Sequence, residues 1–93
     1  MKYRIIPSSK FKKGLKLAEK RGLDIDKLAK VVNMLADGMV LPSEYKDHQL
    51  IRNYAGKREC HIDSDWLLIY EYEDNELILY LVNTGTHSDL FKK

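Results

Sequence analysis

Two apolar runs constrain this chain more than any other feature: Trp66-Leu67-Leu68-Ile69-Tyr70 and Leu77-Ile78-Leu79-Tyr80-Leu81-Val82, with Asp74-Asn75 between them. A strand that is apolar on consecutive rather than alternate residues has no face to offer water, so both of its faces must be covered. The link between the runs is too short for a crossover, so Trp66–Glu73 and Glu76–Val82 are expected to pair antiparallel. Arg58–Asp63 precedes them as a third strand, set off by the turn-forming pair Asp63-Ser64. These segments predict a meander at the centre of a sheet.

The cover for one face is written upstream. Residues 2–7 are β-branched and aromatic and stop at Pro7, which predicts an opening strand. Ser8 or Ser9 can cap a helix in which Phe11, Leu15 and Ala18 share one side, while Lys13, Lys16 and Lys20 form a basic stripe opposite. Gly22 ends that helix, and Asp24 caps a second whose apolar face is Ile25, Leu28, Val32, Leu35 and Ala36, ending at Gly38. So short a connection makes the two an antiparallel hairpin. Residues 39–57 contain Pro42 and Gly56 and read as a loop with one short strand; residues 83–91 read as a turn with one helical turn. The expected architecture is α+β: an N-terminal strand and a two-helix hairpin packed on a twisted antiparallel β-sheet, in one domain over residues 1–93. The pattern leaves open where the opening strand joins the sheet.

Charge is unevenly distributed. The net value is +2, yet residues 1–30 hold ten lysines and arginines against three carboxylates, while residues 31–93 hold six against eleven. Such asymmetry suits a polyanionic partner for the basic section, or simply a solvated helix surface. No apolar run approaches the roughly 20 residues needed to span a bilayer, and Met1–Pro7 lacks the apolar core of a secretory signal. Cys60 is the sole cysteine and lies among apolar residues, so a buried thiol and no internal disulfide are expected. The expected compartment is the cytoplasm, with no membrane partner.

All three histidines, His48, His61 and His87, fall in the C-terminal half. Imidazole suits proton transfer near neutral pH. Cleavage of RNA by its own 2′-hydroxyl needs a base on that hydroxyl, an acid on the leaving oxygen, and donors for the phosphorane-like transition state. The three histidines could staff such a site, with Asp65 to orient one of them. Arg58 and the lysines Lys13, Lys16 and Lys20 could hold phosphate. Trp66, Tyr70 and Phe91 offer faces for unpaired bases. Each has a duller reading: scattered histidines are more often structural, and aromatic residues on an apolar strand are more often core. Neither His-x3-His nor Cys-x2-Cys is present, so no metal and no other cofactor is expected.

Four segments in order give a more specific indication: Tyr45-Lys46-Asp47-His48, Arg58-Glu59-Cys60-His61, Asp65-Trp66-Leu67-Leu68-Ile69-Tyr70 and Thr84-Gly85-Thr86-His87-Ser88-Asp89-Leu90-Phe91. With the basic Lys16-Leu17-Ala18-Glu19-Lys20-Arg21 upstream, they resemble the YafQ-type mRNA interferase toxins of the RelE/ParE superfamily, and the resemblance covers essentially the whole chain. It implies a RelE-like fold and the toxin half of a type II toxin–antitoxin pair. It further implies a ribosome-dependent endoribonuclease that cleaves mRNA without a metal and inhibits translation. The implied partners are a cognate antitoxin of the DinJ/RelB type, mRNA and the ribosomal A site, with operator DNA only through the antitoxin complex. By position, His48, His61, Asp65 and His87 match the family's catalytic set, with His87 foremost, and Phe91 matches its active-site phenylalanine. Arg58, Trp66 and the residue at 83 fall among positions expected to bind RNA. The chain departs at that last position: the family usually carries arginine before Thr-Gly-Thr-His, and Asn83 stands here. Asparagine offers only neutral donors where arginine gives a permanent charge. The departure keeps a second reading open, a weakly catalytic or inactive module that binds an antitoxin or the ribosome.

Overall fold

In the computed structural model, residues 1–91 are described. They form, in order, β1 (Arg4–Pro7), α1 (Ser9–Lys20), α2 (Ile25–Ala36), β2 (His48–Gln49), β3 (Arg58–Asp63), β4 (Trp66–Glu73), β5 (Ile78–Gly85) and α3 (His87–Phe91). Single 3-10 turns at Ser43–Tyr45 and Arg52–Tyr54 flank β2. The sheet order is β1-β5-β4-β3-β2.

The helix boundaries follow from their caps. Ser8 accepts from the Phe11 N–H and Asp24 from the Asp26 N–H, satisfying donors that a helix start leaves open. Strands β3 and β4 have the expected limits. By contrast, β5 is shifted toward the C-terminus, because Leu77 takes a left-handed conformation (φ 54°) that closes the preceding turn. At the other end, pairing with β4 continues as far as Leu67↔Gly85.

The structure fixes the place of the opening strand, which the pattern left open. The meander β2–β5 is antiparallel, but β1 pairs parallel to β5, with Arg4 opposite Ile78 and Pro7 opposite Leu81. Parallel neighbours need a long crossover, and here both helices and the entire meander supply it.

The hairpin covers one face. Phe11 and Ala18 from α1, with Leu28, Val31, Val32, Leu35 and Ala36 from α2, join Cys60, Ile62, Trp66, Leu68, Tyr70, Leu79 and Leu81 in one core. Helix α1 lies so close to β5 that a Cβ at Gly14 would sit 2.2 Å from the Thr84 carbonyl oxygen. On the other face a smaller cluster of Leu67, Ile69 and Leu90 is flanked by Leu50, Tyr54, Val82 and Phe91. Thus β4 is covered on both sides, as its unbroken apolar run requires. Cys60 is buried, and that burial pushes its thiol up to about 12. Among the described residues no helix is long and apolar enough to cross a membrane.

Candidate active site

Alternation along β3 builds the site. Side chains of successive strand residues point to opposite faces, so Glu59 and His61 stand on the face away from the helices, while Arg58 and Cys60 point toward them. Pairing of β2 with β3 sets His48 directly opposite Glu59. His48 donates from Nδ1 to the Lys46 carbonyl at 2.8 Å, and its Nε2 lies 3.5 Å from Glu59 Oε1. Glu59 is only 4% exposed, and its other oxygen, Oε2, is buried with no hydrogen-bond partner. A buried carboxylate oxygen left open in this way is costly for the fold.

The last element closes the site from above. Thr86 and Asp89 bond reciprocally, Thr86 N–H to Asp89 Oδ2 and Asp89 N–H to Thr86 Oγ1, in the manner of a capping box. Arg21, at the end of α1, grips the same carboxylate at 2.7 Å. The guanidinium, helped by the Thr86 N–H, holds the Asp89 carboxyl down at about 2. Gly85 is needed at this junction, since a Cβ there would come within 2.8 Å of Asp89 Cβ.

His87 opens α3 and is fixed by Asp65 in the β3–β4 turn. Asp65 Oδ1 accepts from the His87 backbone N–H at 3.1 Å and lies 2.7 Å from its Nδ1. Those two contacts, the backbone one first, hold the Asp65 carboxyl below its usual range. A carboxylate accepting from Nδ1–H leaves Nε2 as the nitrogen able to exchange a proton. The ring faces of His61 and His87 are 6.0 Å apart between centroids. Donor atoms of Glu59, His61 and His87 all lie within 4.8 Å of one another. Phe91, one turn along α3, sits 6.4 Å from the His87 ring and makes an edge-to-face contact with Tyr54 at 5.6 Å.

Four sequence-derived candidates therefore meet: His48 and His61 on the open face, with His87 and Asp65 at its rim, and Phe91 beside them. Several others do not join them. Arg58 faces the helix side, where Nη2 donates to Asp47 Oδ2 at 3.0 Å and Tyr70 Oη donates to the other oxygen. Its charge is neutralised in that network, so the expectation of phosphate binding is corrected. Trp66 is 4% exposed and donates its indole N–H to Thr84 Oγ1, and Tyr70 is 1% exposed; neither can stack on a base. Lys13, Lys16 and Lys20 are exposed on α1, across the sheet from His61, and make no contact with the histidine group. Asn83 stands opposite Ile69 on the open face beside a bulge at Val82, but its Oδ1 accepts from the Thr84 N–H at 2.9 Å.

Sequence reasoning missed Glu59. The available signal was its position two residues before His61, which places both on one face of a strand. It also set metal binding aside for want of a spaced ligand motif and of further cysteines, although one strand and the last helix bring Glu59, His61 and His87 together without one. Two imidazoles and a carboxylate are a donor set that suits a divalent transition ion. Two cavities flank the group. One of about 580 Å³ includes Lys27, Lys30, Lys46 and His61. Another, of about 690 Å³, is lined by Leu50, Ile51, Arg52, Asn53, Tyr54, His87 and Phe91.

A family described as the bacterial toxin of type II toxin–antitoxin systems, YafQ, matches residues 3–92. The mRNA interferase toxin YafQ of Escherichia coli is 41% identical over 85 residues, 90% of each chain. The crystal structure of the E. coli DinJ–YafQ complex superposes with a TM-score of 0.87 at 40% identity, covering 96% of this chain and 98% of that one. A metal-bound toxin from Helicobacter pylori superposes at 0.90 with 44% identity, over 96% and 99%.

Proposed function

This chain belongs to the YafQ family of bacterial type II toxin–antitoxin toxins, and we propose that it cleaves mRNA by acid–base catalysis where His48, Glu59, His61 and His87 meet. It is a toxin and an mRNA-cleaving endoribonuclease, and its protein partner is an antitoxin. The observation that carries the mechanism is the pairing of His87 Nδ1 with Asp65 at 2.7 Å, beside a second imidazole whose ring centre is 6.0 Å away.

In this reading the 2′-oxygen of the substrate attacks the adjacent phosphorus, the bond to the 5′-oxygen breaks, and a cyclic phosphate and a 5′-hydroxyl result. His87 carries one of the two proton transfers through Nε2, with Asp65 fixing the tautomer and stabilising the imidazolium. The other transfer falls to His48, whose Nε2 lies beside Glu59 Oε1. His61, beside the His87 ring, donates to a phosphate oxygen. No step in this scheme requires a metal. Phe91 supplies a face for the neighbouring base.

The substrate is mRNA held in the ribosomal A site. An open face with few unpaired cations gains most from a strand that is already extended and positioned. The antitoxin covers this face, operator DNA is reached only through the antitoxin complex, and the site of action is the cytoplasm. Expression without antitoxin is expected to stop growth, and mapping of mRNA from translating ribosomes is expected to show new 5′ ends that persist in chelator. Asn83 favours a second reading, a binding module with little catalysis. Antitoxin capture with normal growth and intact mRNA would select it.

A further inference from the structure

Lys30 and Lys46 line the cavity beside His61, but the cavity beside His87 and Phe91 has a single fixed positive charge among its lining residues to offer a phosphodiester. Arg58 is spent on Asp47, Arg21 on Asp89, Lys57 on Glu71 and Lys27 on Asp63. Asn83 turns its amide oxygen onto the backbone. Two arginines escape this pattern, Arg4 on the far edge strand β1 and Arg52 beside the site. Arg52 is exposed, forms no ion pair among the described residues, and lines the same cavity as His87 and Phe91.

Its backbone supplies a second, independent observation. Arg52 sits at φ 61°, in the left-handed region that glycine or asparagine occupies far more cheaply. The loop holds it there: Ala55 N–H bonds to the Arg52 carbonyl at 3.0 Å, and Leu50 N–H to the Lys57 carbonyl at 2.9 Å. Non-glycine residues held in this region gather at functional sites.

We propose that Arg52 is the phosphate-binding residue of the site, gripping the RNA backbone next to the nucleotide whose base packs against Phe91 and Tyr54. This rests on the nuclease reading above and adds to it the group that stabilises charge on the substrate. A guanidinium offers two parallel donors to a phosphate and keeps its charge at every working pH. The cavity beside it is walled by Ile51 and Tyr54, so a flat apolar base fits next to a charged backbone contact.

The test measures single-turnover cleavage of one mRNA on programmed ribosomes for the wild type, Arg52→Ala, Arg52→Lys, Arg52→Gly and the control Lys12→Ala. Lys12 is an exposed lysine on α1, so its loss changes net charge equally at a distance. Arg52→Ala is expected to cut 10- to 100-fold more slowly with an unchanged pH profile, and Arg52→Lys to recover part of that loss. Arg52→Gly is expected to melt at or above the wild-type temperature yet cut as slowly as the alanine variant, which separates the charge from the loop's stability. Lys12→Ala is expected to match the wild type. Arg52→Ala cutting at the wild-type rate would overturn the role of Arg52 alone. A wild-type protein that cuts nothing would overturn it together with the nuclease reading.

Discussion

Adjacent residues of one strand, Arg58 and Glu59, enter two ionic groups with opposite character. On the helix-covered face Arg58, Asp47 and Tyr70 satisfy one another, and burial, together with the contact with Asp47, pushes the Tyr70 hydroxyl well above its usual range. On the open face, Glu59 keeps an unpartnered oxygen beside half-exposed His48, and His87 holds a nitrogen free for the substrate. The closed group rigidifies the sheet. On the proposed reading, the open one leaves interactions unmade until RNA arrives, as a site complementary to a transition state must. One face should therefore answer to stability measurements and the other to activity.

The largest effect that would break this division concerns His87. His87→Gln is expected to lower cleavage by about 10³-fold or more, since loss of a positioned proton-transfer group costs roughly 10²–10⁴ in rate. Its melting temperature should stay close to the wild type, because the ring is mostly in solvent. Undiminished cutting would remove His87 from catalysis. The mirror experiment is Arg58→Met, which leaves the Asp47 carboxylate half-buried without its counter-charge. Denaturant titration is expected to show a loss of about 2 kcal/mol, below the cost of breaking a fully buried pair because both groups retain some solvent. Cleavage by the folded fraction should be unchanged. A large activity loss at full stability would mean that Arg58 reaches RNA after all.

This contrast also shows what the sequence discloses. Caps at Ser8 and Asp24, the limits of β3 and β4 and the two-sided burial of β4 were legible because each is a local pattern. The parallel partnership of β1 and β5 was not, since it depends on where a long crossover lands. Within the site, His48, His61, Asp65 and His87 were legible as chemically competent residues matched to a family order. Arg58 and Trp66 were misread for one shared reason: the face that a strand side chain takes depends on register. Glu59 was passed over, because its place in the site depends on the pairing of β2 with β3.

A smaller effect sharpens the picture of the open face as a place where stability is given up. Glu59→Gln replaces a buried carboxyl group whose Oε2 has no hydrogen-bond partner. The variant is expected to be more stable by about 0.5–1 kcal/mol in denaturant, the range common for relieving a strained site. Its cleavage should fall at least tenfold, because His48 loses the carboxylate that its Nε2 faces. A variant both less stable and fully active would show that Glu59 belongs with the closed network instead.

The smallest effect lies at the hinge between the faces, where Asp89 ties α3 to α1. Its carboxyl titrates near 2 in the folded chain, against about 3.9 when unfolded, so the folded state binds protons more weakly. The resulting stability is fully present above about pH 4 and is lost as pH falls from 4 through 2. Because the Arg21 partner is 40% exposed, solvent screening reduces the gain to roughly 1 kcal/mol or less. Asp89→Asn keeps an acceptor for the Thr86 N–H but loses the charge facing Arg21. It should be slightly less stable than the wild type at pH 7, and the two stability curves should converge as pH approaches 2. Since α3 begins with His87, cleavage at pH 7 should also fall a few-fold. Curves that stay parallel down to pH 2 would mean that the Arg21–Asp89 charge pair does not hold the catalytic helix in place, and that Asp65 fixes His87 unaided.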